Sequence, residues 1–335
     1  MSAPTLIPCS PELFYRGRPG DPRLGEWVKV GGTIPLQKIK TKEAIAILGF
    51  PDDEGVVRNK GRAGAKGGPD GVRKHFYRLC PPMDLEWEKF IELYDLGNIQ
   101  VTGQIDSTHV QAKAAVSHLA SLGATIVTIG GGHDFAAPAF LGFKAGQEES
   151  ARKALKCSLL NVDPHLDMRP LEANLPHSGT PFRVILEANG ATSVTAFGIR
   201  QNRNARSHYQ YAKDKGVRIL ALNTIRADRK GVGHLFEAEL KKLARSSDLV
   251  GVTLDLDSCF ESEGTSAAPV LGFSAWELCE MALSAGREKK VKWFDLSEAA
   301  PHLESAERIC RIASEIIFHF LWGRAQILAG KGAQE

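Results

Sequence analysis

Ser158-Leu159-Leu160-Asn161-Val162-Asp163-Pro164-His165-Leu166-Asp167 is the stretch that decides the fold. Its first half is a short run suited to a buried strand. Its second half alternates Asp-x-His-x-Asp, and in extended backbone that spacing puts all three side chains on one face. Two other segments repeat the arrangement. Ala124–Ile129 runs into Gly130-Gly131-Gly132-His133-Asp134, and Leu249–Leu254 runs into Asp255-Leu256-Asp257. Taken alone, an Asp-x-Asp at a strand end is a cap or a solvated turn. Gly-Gly-His-Asp alone is a loop opening a helix with Asp134 as its N-cap. Together the three packets deliver His133, Asp163, His165, Asp167, Asp255 and Asp257 to three strand ends. Four carboxylates and two imidazoles carry too much negative charge for a buried site unless cations offset it. Hard oxygen donors with only two histidines suit manganese better than a sulfur-rich zinc site.

The rest of the chain supplies the scaffold these packets need. Ala44–Phe50 reads as the first buried strand, followed by a glycine-rich loop from Asn59 and a helix over Asp70–Leu79. The loop has neither a Gly-Lys-Ser/Thr ending nor Rossmann spacing, so it is no phosphate cradle. A helix is expected near Thr108–Leu122, and further strands at Ser193–Phe197, Val217–Leu222 and Val291–Phe294. Ser274-Ala-Trp-Glu277 is a capping box that opens another helix. The last helix is expected over about Ser305–Trp322. Strands alternating with helices imply an α/β fold whose mainly parallel sheet is covered on both faces. In such sheets functional groups gather at the carboxyl ends of the strands, where all six candidate ligands fall. No linker or repeat interrupts residues 1–335, which read as one domain preceded by an irregular Pro/Gly-rich arm over residues 1–40.

Composition narrows the function classes. The chain has 335 residues, 43% hydrophobic and 24% charged, with a net charge of +3. These values describe an ordinary globular protein and offer no basic surface for nucleic acid. Its six cysteines are scattered with no C-x-x-C pair, which argues against a zinc ribbon and a secreted disulfide framework. Cys259, two residues past Asp257, reads as a core thiol near the site. No leader and no apolar run long enough for a membrane span is read, so a cytoplasmic protein is expected.

The packets resemble those of the ureohydrolase superfamily of arginases, agmatinases and formimidoylglutamases, from about Ile45 to the final helix. The resemblance implies an arginase-like three-layer α/β/α fold around two Mn2+ ions per chain. By the family pattern, His133 and Asp167 hold one ion, His165 and Asp257 the other, and Asp163 and Asp255 bridge them. Asp295-Leu-Ser-Glu298-Ala-Ala-Pro301 is similar to the superfamily segment whose Glu contacts the guanidine, which casts Glu298 as a catalytic contact. Trimers or hexamers are common in the superfamily, so a homo-oligomer is expected.

Within the superfamily, several segments look most like the formimidoylglutamase branch: Gly49–Asn59 with Gly61-Arg62, Leu166–Pro170, Ser178–Phe182 and Gly198–Asn202. Arg169 stands where arginases carry Asn, and Phe182 where they carry a proton-shuttling His. A planar guanidinium in the substrate-tail pocket suits a carboxylate. Arg169, Ser178, Asn59, Arg62 and Arg200 are therefore the candidate substrate contacts; Arg62 and Arg200 could equally brace loops. The resemblance implies hydrolysis of a small molecule, N-formimidoyl-L-glutamate, to L-glutamate and formamide, as in histidine degradation. A metal-bridging hydroxide would attack, with Asp167 carrying its proton to the leaving amine. The alternatives are another ureohydrolase such as arginase or agmatinase, a different amidine hydrolase, and a silent relative serving as a binding or scaffold subunit.

Overall fold

The computed structural model describes residues 5–31 and 43–330. In chain order the elements are β1 (Leu6–Ile7), β2 (Lys29–Val30), β3 (Glu43–Gly49), α1 (Glu54–Arg58), α2 (Gly68–Phe76), β4 (Ile91–Ile99), α3 (Ile105–Ser121), β5 (Thr125–Ile129), α4 (Ala136–Ala151), β6 (Cys157–Val162), α5 (Pro181–Glu187), β7 (Ser193–Ile199), α6 (Arg206–Asp214), β8 (Arg218–Ala221), α7 (Leu222–Ala227), α8 (Val232–Ser246), β9 (Leu249–Asp255), α9 (Ala275–Arg287), β10 (Val291–Ser297) and α10 (Arg308–Leu328). The strands form one sheet in the order β1-β4-β3-β5-β10-β9-β6-β7-β8, with β2 also paired to β4. Every pairing is parallel except β1 with β4. This is the expected mainly parallel α/β architecture.

Period-two alternation divides the sheet's side chains between two apolar layers. Ile45, Ile47, Val127, Leu160 and Val252 pack with α2, α8, α9 and α10 on one face. Ala44, Ala46, Leu48, Ile126 and Leu159 pack with α3, α4, α5 and α6 on the other. Burial on both faces is why these strands read as continuous apolar runs. Helix ends follow local rules. Ser274 Oγ accepts from the Glu277 N–H and Glu277 Oε2 accepts from the Ser274 N–H, closing the expected capping box of α9.

Two features depart from the sequence reading. Strand β4 is hard to see in the sequence because Glu92, Asp95, Gly97 and Asn98 break its apolar pattern. Its buried Asp95 is paired with Arg73 of α2 (Nε–Oδ2 2.7 Å, Nη2–Oδ1 3.1 Å) and accepts from the Tyr77 hydroxyl. The arm is also more regular than expected: β1 and β2 extend the sheet along β4 at Asn98–Ile99 and Tyr94–Asp95. Residues 1–4 and 32–40 of the arm lie outside the described residues. Among the described residues, no helix is long and apolar enough to cross a membrane.

Candidate metal centre

Four neighbouring strands in the sheet, β5, β10, β9 and β6, bring the packets together at their carboxyl ends. Strands β5 and β6 follow one another in sequence but stand apart in the sheet with β10 and β9 between them, so the convergence comes from the order of the sheet. The glycine run after β5 is stapled between two other strand ends. Gly131 N–H donates to Phe50 O (2.7 Å) and Gly130 N–H to Leu296 O (2.6 Å). A Cβ on Gly131 would stand 1.8 Å from Asp52 O, so only glycine allows this close approach. The run delivers His133 into a single 3₁₀ turn, His133–Phe135, that leads into α4.

The Asp-x-His and Asp-x-Asp spacings share a local device. Asp163 Oδ1 accepts from the His165 N–H at 2.6 Å, and Asp255 Oδ1 accepts from the Asp257 N–H at 2.7 Å. Each first aspartate closes a turn with Oδ1 and turns Oδ2 toward His133. The His133 Nδ1 atom then lies 3.3 Å from Asp163 Oδ2, 2.9 Å from Asp167 Oδ2 and 3.1 Å from Asp255 Oδ2. The ligand atoms of these four residues all fall within 4.8 Å of one another. Beside them, His165 Nδ1 is 3.3 Å from Asp163 Oδ1 and 3.7 Å from Asp257 Oδ2. The chain at 163–167 is a bend rather than the extended strand expected, and Asp167 takes a left-handed φ of 47°. The turn and the left-handed residue aim the three side chains, not strand alternation.

The electrostatics are those of a cation site. Burial, reinforced by Asp257 and Asp163, pushes Asp255 well above the usual carboxylate range. Burial, with Asp255 and Asp257, does the same to Glu298. Burial opposes charge on His165, yet Asp163 and Asp257 raise it to about 10. These carboxylates gather around charge they need and share only two imidazoles. The donor set, oxygen-rich with imidazole, fits a pair of hard divalent ions. Glu298, with φ 68°, accepts from the His133 N–H through Oε1 at 2.9 Å, while its buried Oε2 has no partner. Phe182 is fully buried with its ring edge-on to His133, 5.4 Å between centroids, and offers no proton.

A cavity of about 240 Å³ opens over the cluster, and its walls separate by charge. Buried or half-buried Asp167, Asp255, Asp257 and Glu298 lie deepest, whereas Lys60, Arg169 and Arg203 are exposed on its lining. His208 also lines it, held below the ordinary imidazole value by burial and by Arg169 and Arg183. Asn59 and Ser178 line it together, with Asn59 Nδ2 donating to Ser178 Oγ at 3.0 Å. Arg62 and Arg200 are not on the lining. The Arg62 guanidinium donates to the carbonyls of Thr265 (2.6 Å) and Ser266 (3.1 Å), and Arg200 donates to Leu271 O at 3.4 Å. Both brace the loop that follows β9. Sequence reasoning missed Lys60, Arg203 and His208. Arg203 lies one residue past the quoted Gly198–Asn202 segment, in the 3₁₀ turn Gln201–Arg203. Cys259 is buried off the cavity, its thiol pushed up to about 11 by burial, and all six cysteines are unpaired.

Comparison with known proteins agrees with this geometry. Residues 43–323 match the Arginase family. A formimidoylglutamase of Staphylococcus haemolyticus is 27% identical over 303 residues, covering 88% of this chain and 91% of that protein. The crystal structure of Trypanosoma cruzi formiminoglutamase with two Mn2+ superposes with a TM-score of 0.77 at 30% identity, over 91% of this chain and 99% of that one. A formimidoylglutamase structure from Bacillus subtilis gives a TM-score of 0.79 at 21% identity over 93% and 94%, a likeness of fold.

Proposed function

Because this chain belongs to the arginase family, we propose that it hydrolyses N-formimidoyl-L-glutamate to L-glutamate and formamide at a site holding two Mn2+ ions. The observation that carries the reading is the cavity itself, with acids clustered around two imidazoles at its base and Lys60, Arg169 and Arg203 on its exposed wall. The acids suit two cations and a substrate amidinium. The outer cations suit a tail bearing two carboxylates and no ammonium, which arginine and agmatine lack. Two relatives named for this activity, one of them solved with two Mn2+, support the same reading.

In this proposal His133 and Asp167 hold one ion, His165 and Asp257 the other, and Asp163 and Asp255 are shared. When bound, the ions supply positive charge and a hydroxide nucleophile at neutral pH. The remaining work belongs to the side chains. The unpartnered Oε2 of Glu298 receives an amidinium N–H. Asp167, on the cavity lining, takes the proton released as a C–O bond forms at the formimidoyl carbon. It returns that proton to the glutamate nitrogen as the C–N bond breaks. Arg169 and Arg203 hold the carboxylates, with Asn59 and Ser178 fixing the wall beside them. Arg62 and Arg200 support the loop and enter the site only through it. The proposal includes a cytoplasmic location and a trimeric or hexameric assembly, which light scattering would measure.

The test is steady-state release of glutamate from N-formimidoyl-L-glutamate by Mn2+-loaded protein, with arginine and agmatine assayed beside it. Turnover of the first alone is expected. Turnover of arginine or agmatine in its place overturns the assignment of the tail pocket.

A further inference from the structure

Behind His133, on the side away from the cluster, lies a buried chain of hydrogen bonds across three adjacent strands. Asp295 of β10 is the register partner of both Thr128 on β5 and Thr253 on β9, so the three stand in one row. Thr128 Oγ1 donates to Asp295 Oδ1 at 2.5 Å, and Thr253 Oγ1 donates to Asp295 Oδ2 at 2.8 Å. Trp293 Nε1–H donates to Thr128 Oγ1 at 3.0 Å, and Thr253 Oγ1 lies 3.1 Å from His133 Nε2. All five side chains are buried.

The direction of each bond follows from what each group can do. An indole N–H only donates, so Thr128 accepts from Trp293 and gives its single proton to Asp295. A carboxylate only accepts, so Thr253 gives its single proton to the other Asp295 oxygen. Thr253 then has only lone pairs left for His133, and Nε2 must carry the hydrogen. In a neutral imidazole that leaves Nδ1 bare, and Nδ1 is the atom facing Asp163, Asp167 and Asp255.

Resting on the metal-centre reading above, we infer that Asp295 and Thr253 are positioning residues that fix His133 as its Nε2–H tautomer and aim the Nδ1 lone pair at a cation. The carboxylate reaches the ligand through a hydroxyl instead of touching it, and the parallel register holds both. Such partners of a metal-ligating histidine set its orientation and basicity.

The experiment is Mn2+ titration of metal-stripped protein by calorimetry, comparing the parent with Thr253→Val, Thr253→Ser and Asp295→Leu. Thermal melts of each metal-stripped variant serve as the check on folding. Thr253→Val keeps the shape and removes the relay, so one of two ions should bind about 10–100-fold more weakly. Thr253→Ser should restore it. Asp295→Leu leaves Thr253 no acceptor and should weaken the same ion, which keeps the test available if Thr253→Val does not fold. Parent protein binding two ions, with folded Thr253→Val or Asp295→Leu binding both as tightly, overturns the relay alone. Parent protein binding no Mn2+ overturns the metal centre and the relay with it.

Discussion

Glu298→Gln should move activity and stability in opposite directions. Glu298 is 2% exposed, uses Oε1 to accept from the His133 N–H at 2.9 Å, and leaves Oε2 buried without a partner. Gln can keep the first bond, so the backbone at the His133 turn should hold. At the second position it replaces an acceptor by an amide donor. In the proposed complex that removes one charge-assisted hydrogen bond to the amidinium, about 1.5–3 kcal/mol, and faces two donors at each other for about 1–3 kcal/mol more. The sum corresponds to a loss of roughly 10²–10⁴ in kcat/KM at saturating Mn2+. Stability should go the other way in metal-stripped protein. Burial and the neighbouring Asp255 and Asp257 hold Glu298 well above its ordinary value of 4.5. A carboxyl raised on folding is protonated more readily in the native state, so its ionisation above that ordinary value favours unfolding. A neutral Gln should therefore stabilise the metal-stripped protein at pH 7.5, and by less at pH 4.5, where Glu298 is already neutral. Urea unfolding at the two pH values, with steady-state kinetics on the loaded enzyme, reads both effects. A kcat/KM within about threefold of the parent, or a less stable Gln variant at pH 7.5, refutes the reasoning.

Other consequences can be checked singly. Asp257→Asn should lose one Mn2+ and cut turnover by orders of magnitude with an unchanged circular-dichroism spectrum; parental turnover with two ions bound would contradict its role. Arg203→Ala should raise KM for N-formimidoyl-L-glutamate by about 10–100-fold, the worth of a charged hydrogen bond, with little change in kcat, and an unchanged KM would remove it from the tail pocket. Burial opposes charge on His165 but Asp163 and Asp257 raise it to about 10, so it is protonated at pH 7 in metal-stripped protein. Binding a cation needs the neutral ring, so Mn2+ uptake should release protons and its apparent affinity should climb with pH up to about 10. Calorimetry in buffers of different ionisation enthalpy would register that release, and none would count against His165 as a ligand. Asp95→Asn should destabilise the protein by about 3–5 kcal/mol by leaving the buried Arg73 uncompensated; a loss under about 1 kcal/mol in denaturant unfolding would show that the pair is not needed.

How far the sequence could be read depended on whether the physics was local. The strands at 124–129, 158–162 and 249–254 were legible because burial on both faces forces unbroken apolar runs. Strand β4 was not, because its buried Asp95 depends on Arg73, 22 residues earlier, to be tolerated there. The six candidate ligands were visible because their spacing is local and their residue types are costly to bury unpaired. Which device aims them was not: the Asx turns at Asp163 and Asp255 and the left-handed Asp167 replace the strand alternation expected at 163–167. The basic wall was hardest to see. Arg169 could be read from its motif, but Lys60 and His208 reach the cavity from α1's end and from α6, and nothing in the sequence places them together. In the loop after β7, Arg200 donates to Leu271 O, and Arg203, the last residue of the 3₁₀ turn Gln201–Arg203, occupies the lining.

The three strand-end packets are expected to form one two-ion site. Anomalous diffraction from Mn2+-loaded crystals at neutral pH tests it most directly. Two peaks are expected, one beside His133 Nδ1 and Asp167 and the other beside His165 and Asp257, with Asp163 and Asp255 touching both. A single peak, or two peaks away from these residues, would contradict it.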